Sequence, residues 1–162
     1  MKKISKITII LMTLSFAFLA NNCEREDENH HKTIEVINNS DKAVYTYLST
    51  SYPDTLDMYG VPSSPYPSIY KIEPYERNKS ALSLREFYEV IFRDGGQIPS
   101  DTLMVFFMDA EKLESETTHV HNSIIQRYDL SLQDLQQVNW MLTYPPSSEM
   151  KNIKMYPPYQ GK

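Results

Sequence analysis

The sequence predicts an α+β fold, a single small domain with a mixed, largely antiparallel sheet and two or three helices. Three observations favour this class. Residues 102–108 are almost wholly apolar, other short segments alternate apolar and polar residues as half-buried strands do, and Ser131 opens a pattern with helical spacing. An all-β sandwich is the alternative, and it is favoured if residues 86–92 form a strand.

The first elements are predicted to form a β-hairpin. Ile34 and Val36 alternate with polar residues, which is the period of a half-buried strand. Residues 43–48 are rich in β-branched and aromatic side chains, and the polar run 38–41 before them is typical of a turn. Prolines then predict a loop over residues 52–67, because proline cannot donate to a sheet ladder.

The middle of the chain predicts a short strand and a helix. Residues 68–73 are expected to form the strand, which Pro74 closes. Ser83 and Glu86 have the spacing of a capping box, and apolar residues of the segment 83–93 fall on one helical face. The β-favouring residues within that segment keep the rival strand open.

The remaining elements are predicted at short intervals. The run 102–108 is expected to be a central strand covered on both faces, and Ser131 and Asp134 form a second capping box. We expect these elements in chain order: a central strand at 102–108, a helix at 110–116 capped by Asp109, a strand at 123–128, a helix from Ser131, and a strand at 141–144.

The first 22 residues predict an export signal. Three lysines precede 13 apolar or small residues at 7–19, fewer than the ~20 residues that a membrane-spanning helix needs. Cys23 follows where a lipoprotein signal peptidase leaves a new N-terminus, so we expect acylation there, including palmitate. Ordinary secretion with a cut after Ala17 is the alternative, and it would leave a free thiol in an oxidising compartment.

The predicted organisation is therefore a signal peptide at 1–22, an acidic tether at 23–32 and one globular domain at 33–162. Fully extended, the tether could hold the domain about 30 Å from the bilayer. The chain carries 16 basic and 21 acidic residues, and the signal removes three lysines and no acid, which leaves a net charge of −8. Phosphate backbones would repel such a surface, so nucleic acid is not an expected partner.

The C-terminal third contains a recognisable series of short motifs: Gln126-Arg127-Tyr128-Asp129-Leu130-Ser131-Leu132, Asp134-Leu135, Asn139-Trp140 and Tyr144-Pro145-Pro146. With Asn39-Ser40-Asp41 and the segment 52–55, they resemble a group of short uncharacterised lipoproteins of Bacteroides-type bacteria. The resemblance implies one small domain anchored by lipid to the outer membrane, and it brings no activity. In such lipoproteins an acidic run after the cysteine, here 24–28, accompanies display on the cell surface; the periplasmic face is the alternative.

No motif for catalysis is present. The chain lacks a nucleophile elbow, a metalloprotease helix motif, a P-loop and a dinucleotide fingerprint, so no catalytic residue is predicted. His119 and His121 would share one side of a strand, and His30-His31 lies beside two acids, yet neither pair completes a ligand set of known spacing. We therefore expect no metal and no cofactor.

Tyrosines in the proline-rich loop are the candidate ligand contacts: Tyr52, Tyr59, Tyr66 and Tyr70. A tyrosine offers a flat apolar ring and a polar tip, which suits stacking on a sugar or anchoring a protein partner. The alternative is a loop whose rings fold back on the core.

We expect a lipid-anchored surface protein with a non-enzymatic role in binding a protein or a glycan. The alternative is a small hydrolase acting on envelope or glycan material.

Overall fold

Strands dominate the computed structural model, which describes residues 26–55, 68–93, 95–115 and 120–161. Eight strands lie in these ranges: β1 (Thr33–Asn38), β2 (Val44–Ser49), β3 (Lys71–Ile72), β4 (Arg77–Ser83), β5 (Leu103–Asp109), β6 (Ile124–Leu130), β7 (Met141–Tyr144) and β8 (Lys154–Tyr156). The same ranges hold three short α-helices: α1 (Tyr88–Ile91), α2 (Ala110–Ser115) and α3 (Leu132–Gln137). Single 3₁₀ turns cover Ser68–Tyr70, Val120–Ser123 and Ser148–Met150.

The strands form two sheets, and the predicted α+β class is confirmed. The smaller sheet has the order β4-β1-β7 and the larger one β3-β2-β5-β6-β8. Only the β1–β7 pair is parallel among the strand pairs of the described residues. Residues 88–91 are helical, so the strand that would have favoured an all-β sandwich is not formed.

The main core lies between the two sheets. Side chains from both sheets and from α1 and α3 meet there with almost no exposure; the largest contributions come from Ile34, Val36, Leu82, Tyr88, Leu103, Val105, Phe107, Tyr128, Leu130, Leu135 and Leu142. The hydroxyl of Tyr88 donates to the Leu82 carbonyl and that of Tyr128 to the Thr143 carbonyl, both at 2.7 Å. Each buried phenol therefore has a partner for its polar tip.

A second apolar layer covers the outer face of the larger sheet. Successive side chains of a strand point to opposite faces, so Met104, Phe106 and Met108 of β5 lie on the face away from the main core. Leu113 of α2 and Val120 pack on this layer. The prediction of a central strand covered on both faces is confirmed, because every residue of β5 is buried.

The predicted hairpin is wrong, although both of its strands exist. β1 pairs with β4 and β7, whereas β2 pairs with β3 and β5 in the other sheet. The polar run 38–41 carries the chain from one sheet to the other. The buried side-chain amide of Asn38 fixes this crossing by donating to three carbonyls, those of Lys42, Ile72 and Glu73, at 2.7, 3.2 and 3.1 Å.

The predicted helix over 83–93 is much shorter than its capping box suggested. Ser83 ends β4 opposite Thr33, and the helix is one turn, Tyr88–Ile91, whose N-cap residue makes no side-chain hydrogen bond. Pairing with β1 overrides the local signal, because the register places Leu82 opposite Ile34 and keeps Ser83 in the strand. The predicted strand at 68–73 is a 3₁₀ turn followed by the two residues of β3.

Three other predictions agree with the structure. β7 has the predicted bounds, Met141–Tyr144. α2 begins after Asp109, whose carboxylate accepts a hydrogen bond from the Lys112 amide at 3.0 Å. At α3 the Ser131–Asp134 capping box is complete in both directions, and the buried Leu135 docks the helix on the main core.

Candidate ligand-binding site

Two rows of side chains cross the outer face of the larger sheet. The pairing of β2, β5, β6 and β8 places one residue of each strand in each row. The first row is Tyr47, Phe106, Arg127 and Tyr156, and the next is Ser49, Met104, Asp129 and Lys154. Apolar members are buried near β5, and the charged members lie on β6 and β8. The register of the sheet therefore builds a polar and aromatic surface at its β8 edge.

Asp129 is the charged centre of this surface. Its side chain is 1% exposed and lies between two cations. Arg127 places Nε 2.8 Å from Oδ1 and donates from Nη2 to Oδ2 at 3.1 Å, and Lys154 Nζ lies 3.4 Å from Oδ2. The Arg127 Nε contact is an ion pair without the angle of a hydrogen bond. A buried carboxylate is stable here because two cations compensate its lost hydration.

Two tyrosines enclose the lysine. Lys154 Nζ donates to the Tyr52 hydroxyl at 2.8 Å and lies 5.0 Å from that ring's centroid. Arg127 lies over the Tyr156 ring at 4.2 Å, and Lys154 Nζ is 5.7 Å from the same ring. We name the five residues of this group the cation–aromatic cluster: Tyr52, Arg127, Asp129, Lys154 and Tyr156. The hydrogen bond with Tyr52 is the largest cause that raises the pKa of Lys154 above its usual value.

A hollow of about 350 Å³ opens beside this cluster along β8. We name it the edge hollow; its lining is Lys151, Ile153, Lys154, Met155, Tyr156, Pro158 and Tyr159. Two lysines and two tyrosines thus face it, and the described lining includes no carboxylate. On a chain whose net charge is −5, this is a locally cationic place. It is suited to an anion that also presents a surface for aromatic contact.

The cluster lacks the properties of an acid–base site. The Tyr52 hydroxyl and the Asp129 carboxylate contact the Lys154 ammonium and raise its pKa, so this amine is not poised as a base or a nucleophile near neutral pH. The Asp129 carboxylate is already engaged by two cations and is hidden from solvent. What remains accessible is Tyr156, 45% exposed, and the outer part of Lys154. These groups can bind a ligand by contact and charge.

The structure separates the tyrosines that the sequence grouped as ligand contacts. Tyr52 is half-buried and belongs to the cluster near β8, whereas Tyr70 immediately precedes β3, at the opposite edge of the sheet. These two edge strands are four strand spacings apart, or ~19 Å. Tyr59 and Tyr66 lie outside the described residues, as does Cys23, the predicted lipid attachment site.

Tyr70 lines a different cavity, an apolar cleft of about 280 Å³ between the edges of β2 and β4. Its other lining residues are Thr46, Tyr47, Leu48, Ala81, Leu82, Ser83 and Leu84. The cleft is mostly hydrocarbon, with hydroxyls as its polar side-chain groups and no charge among the described lining residues. A mostly apolar cavity of this kind can accept a ligand, but its described lining offers no charged side chain to an acidic one.

One predicted histidine pair has a defined place. His31 stacks on Trp140 with ring centroids 4.1 Å apart, and its Nδ1 lies 2.6 Å from Glu89 Oε1. His30 contacts Asp27 at 2.9 Å, and His119 lies outside the described residues. In the part of the chain that the structure describes, no three histidine, cysteine or acidic side chains form a group able to hold a metal ion.

Sequence reasoning did not select Arg127, Asp129, Lys151, Lys154 or Tyr156 as site residues. A signal for two of them was present, because the alternation of residues 126–130 places Arg127 and Asp129 on one face of a strand. The three on or beside β8 gave no such signal. They reach the site only through the pairing of β8 with β6.

None of the helices in the described ranges is long and apolar enough to cross a bilayer. Comparison with protein-family models, with curated proteins and with solved structures finds no match. The bacterial lipoprotein resemblance therefore stays a prediction, and the side chains of the cluster and the hollow are the basis for a functional proposal.

Proposed function

We propose that this protein is a lipid-anchored envelope protein that binds an acidic glycan without transforming it. The anchoring part of the proposal rests on the signal pattern and Cys23. The observation that carries the binding part is the edge hollow, where exposed Tyr156 adjoins two lysines on the edge of a sheet.

The side chains favour a sugar chain as the ligand. A tyrosine ring covers the apolar face of a pyranose, while ammonium groups donate hydrogen bonds to hydroxyl and carboxylate oxygens. Lys154 has a defined position because it already contacts Tyr52 and Asp129, so little conformational freedom is lost on binding. A ligand bearing carboxylate or sulfate groups would gain from the cationic lining, and a neutral one would not.

A substitution at Tyr156 tests the proposal. Tyr156→Ala should weaken binding to acidic polysaccharides about tenfold or more, since an aromatic anchor carries a large share of the binding free energy. Affinity electrophoresis of the full chain in gels containing carboxylated, sulfated or neutral polysaccharides measures this loss. Binding of the native protein should also weaken as salt is added, because the lysines are partly exposed.

Tyr75→Ala is the matched control, because Tyr75 is 74% exposed and lies outside the cluster and the hollow. Equal retardation of the Tyr156→Ala and Tyr75→Ala proteins would contradict a site at the edge hollow. Retardation by neutral and acidic polysaccharides alike would contradict the acidic ligand. Capture of a protein partner that Tyr156→Ala abolishes, without any glycan binding, would replace the glycan with a protein ligand at the same site.

A further inference from the structure

Residues Glu26–Lys32, which the sequence assigned to a tether, are held against the domain, and we name them the collar. The Asp27 and His30 backbones bridge each other, with N–O distances of 3.1 and 3.4 Å. The Tyr88 amide donates to the His31 carbonyl and the Leu84 amide to the Lys32 carbonyl, both at 2.8 Å. The collar thus continues the hydrogen bonding of β1 toward the N-terminus.

Side-chain contacts also hold the collar against the domain, in addition to the backbone hydrogen bonds. Glu89 of α1 uses both carboxylate oxygens on His31, accepting from its backbone amide at 2.9 Å and lying 2.6 Å from Nδ1. Lys32 Nζ lies 4.4 Å from the centroid of the Phe87 ring, and the His30 ring lies 5.1 Å from the same ring. These contacts order a segment whose composition alone predicts a solvated chain.

The surface that receives His31 is shaped by the end of α3. Asn139 and Trp140 have positive φ angles of 50° and 59°. The Trp140 amide donates to the Leu135 carbonyl at 2.9 Å and the Asn139 amide to the Gln136 carbonyl at 3.1 Å, which is the Schellman pattern of helix termination. This turn places the indole of Trp140 against the His31 ring, and the planes of the two rings differ by only 13°.

We infer that the collar holds the domain directly on the bilayer surface instead of on a long tether. The inference rests on the proposed lipidation of Cys23. Three residue steps separate Cys23 from Glu26, and at ~3.3–3.6 Å each they span at most about 11 Å. A free tether to Lys32 would reach about 30 Å. The collar end of the domain therefore faces the lipid headgroups, and the domain has little freedom to move away from them.

Fluorescence of Trp140 can report the distance between the domain and the bilayer, because it is the only tryptophan in the chain and it contacts the collar. The purified lipidated protein is placed in phosphatidylcholine vesicles with a small fraction of dansyl-headgroup lipid, and energy transfer from Trp140 is recorded. A variant with ten Gly/Ser residues inserted after Arg25 should show transfer reduced at least twofold, because such a linker adds a mean span of ~17 Å. Transfer unchanged by the insertion would overturn the inference.

A second pair of variants tests the collar itself. Glu89→Ala removes both acceptors of His31 and should shift the Trp140 emission to longer wavelength and lower the transfer. Glu86→Ala, an exposed acid just before the same helix, should match the wild type. Identical emission and transfer for Glu89→Ala and Glu86→Ala would show that the collar is not a fixed element.

The anchoring and the collar fail in distinguishable ways. A native protein found in the soluble fraction overturns the proposed lipid anchor and, with it, the apposition to the bilayer. A membrane-bound protein whose Trp140 transfer ignores the inserted linker overturns the apposition alone. Glycan binding at the edge hollow is measured separately and is independent of both results.

Discussion

Tyrosine burial is the residue-scale feature with the clearest consequence for pH. Tyr88 and Tyr128 are fully buried, and burial is the largest cause that raises the pKa of each hydroxyl above its ordinary value of about 10. In the folded protein both phenols stay protonated, while in the unfolded chain they ionise as the pH passes about 10. Their contribution to stability is fully present below pH 10 and is lost as the pH rises above it.

We therefore expect the free energy of unfolding to fall above pH 10, by up to ~1.4 kcal/mol per pH unit for each of the two tyrosines. Urea denaturation midpoints between pH 8 and pH 11 measure the slope. The raised pKa values of Lys71 and Lys154 act in the same direction, so the comparison is made with Tyr88→Phe and Tyr128→Phe, which should each flatten the slope. A slope unaltered by both Phe substitutions would contradict the assignment, and exposed Tyr75→Phe serves as the control.

At the scale of the element, α3 shows what a local signal can achieve. The Ser131 hydroxyl accepts from the Asp134 amide at 3.1 Å, and the Asp134 carboxylate accepts from the Ser131 amide at 2.9 Å. Six residues make a helix too short to be stable by itself, so the cap and the buried Leu135 together hold it in place.

Removing this cap should be measurably destabilising. Ser131→Ala is expected to cost about 1 kcal/mol, within a range of roughly 0.5–2 kcal/mol, because it leaves the Asp134 amide without its acceptor. Ser147→Ala is the matched control, since Ser147 also occupies an N-cap position but makes no side-chain cap hydrogen bond. Urea denaturation of both variants measures the difference. Equal midpoints would show that the capping box adds nothing to the stability of the domain.

The elements predicted well are those whose own residues decide their structure. β5 is apolar along its whole length, and α3 has its cap and its periodic face within eight residues. β4 was missed because its sequence, Arg-Asn-Lys-Ser-Ala-Leu-Ser, is mostly polar and becomes a strand by pairing with β1. β8 has three residues and gave no pattern at all. Tertiary pairing decided these two strands, and a single sequence does not display pairing.

The candidate site was missed for the same reason. Tyr52 and Lys154 are 102 positions apart in the chain, and only the order of strands in the larger sheet brings them within 2.8 Å. The tyrosine-rich loop contains one cluster member, Tyr52, but the loop sequence could not indicate that its partners come from β6 and β8. Composition shows that the chain is rich in aromatic residues, but the register of the strands decides which aromatic side chains contact charged ones.

At the scale of the whole molecule, one small domain combines two proposed roles, anchoring at the collar and ligand binding at the edge hollow. The collar leads to the predicted anchor, and the proposed glycan binding requires the hollow at the β8 edge to stay open. A domain held close to the membrane would meet glycans of the envelope itself at high local concentration. Short-range capture of such a chain needs only moderate affinity when several copies of the protein are anchored on the same surface.

The location of the whole molecule depends on one prediction, the acylation of Cys23. Acyl chains contribute ~0.8 kcal/mol for each CH₂ group buried in a bilayer, and stable anchoring takes more than one chain. Cys23→Ser should therefore release the protein from the membrane fraction or leave it as an uncleaved precursor, and fractionation with intact-mass measurement separates these two results. A processed Cys23→Ser protein that stays in the membrane fraction would disprove anchoring through Cys23, because the protein would then remain attached without its acyl chains.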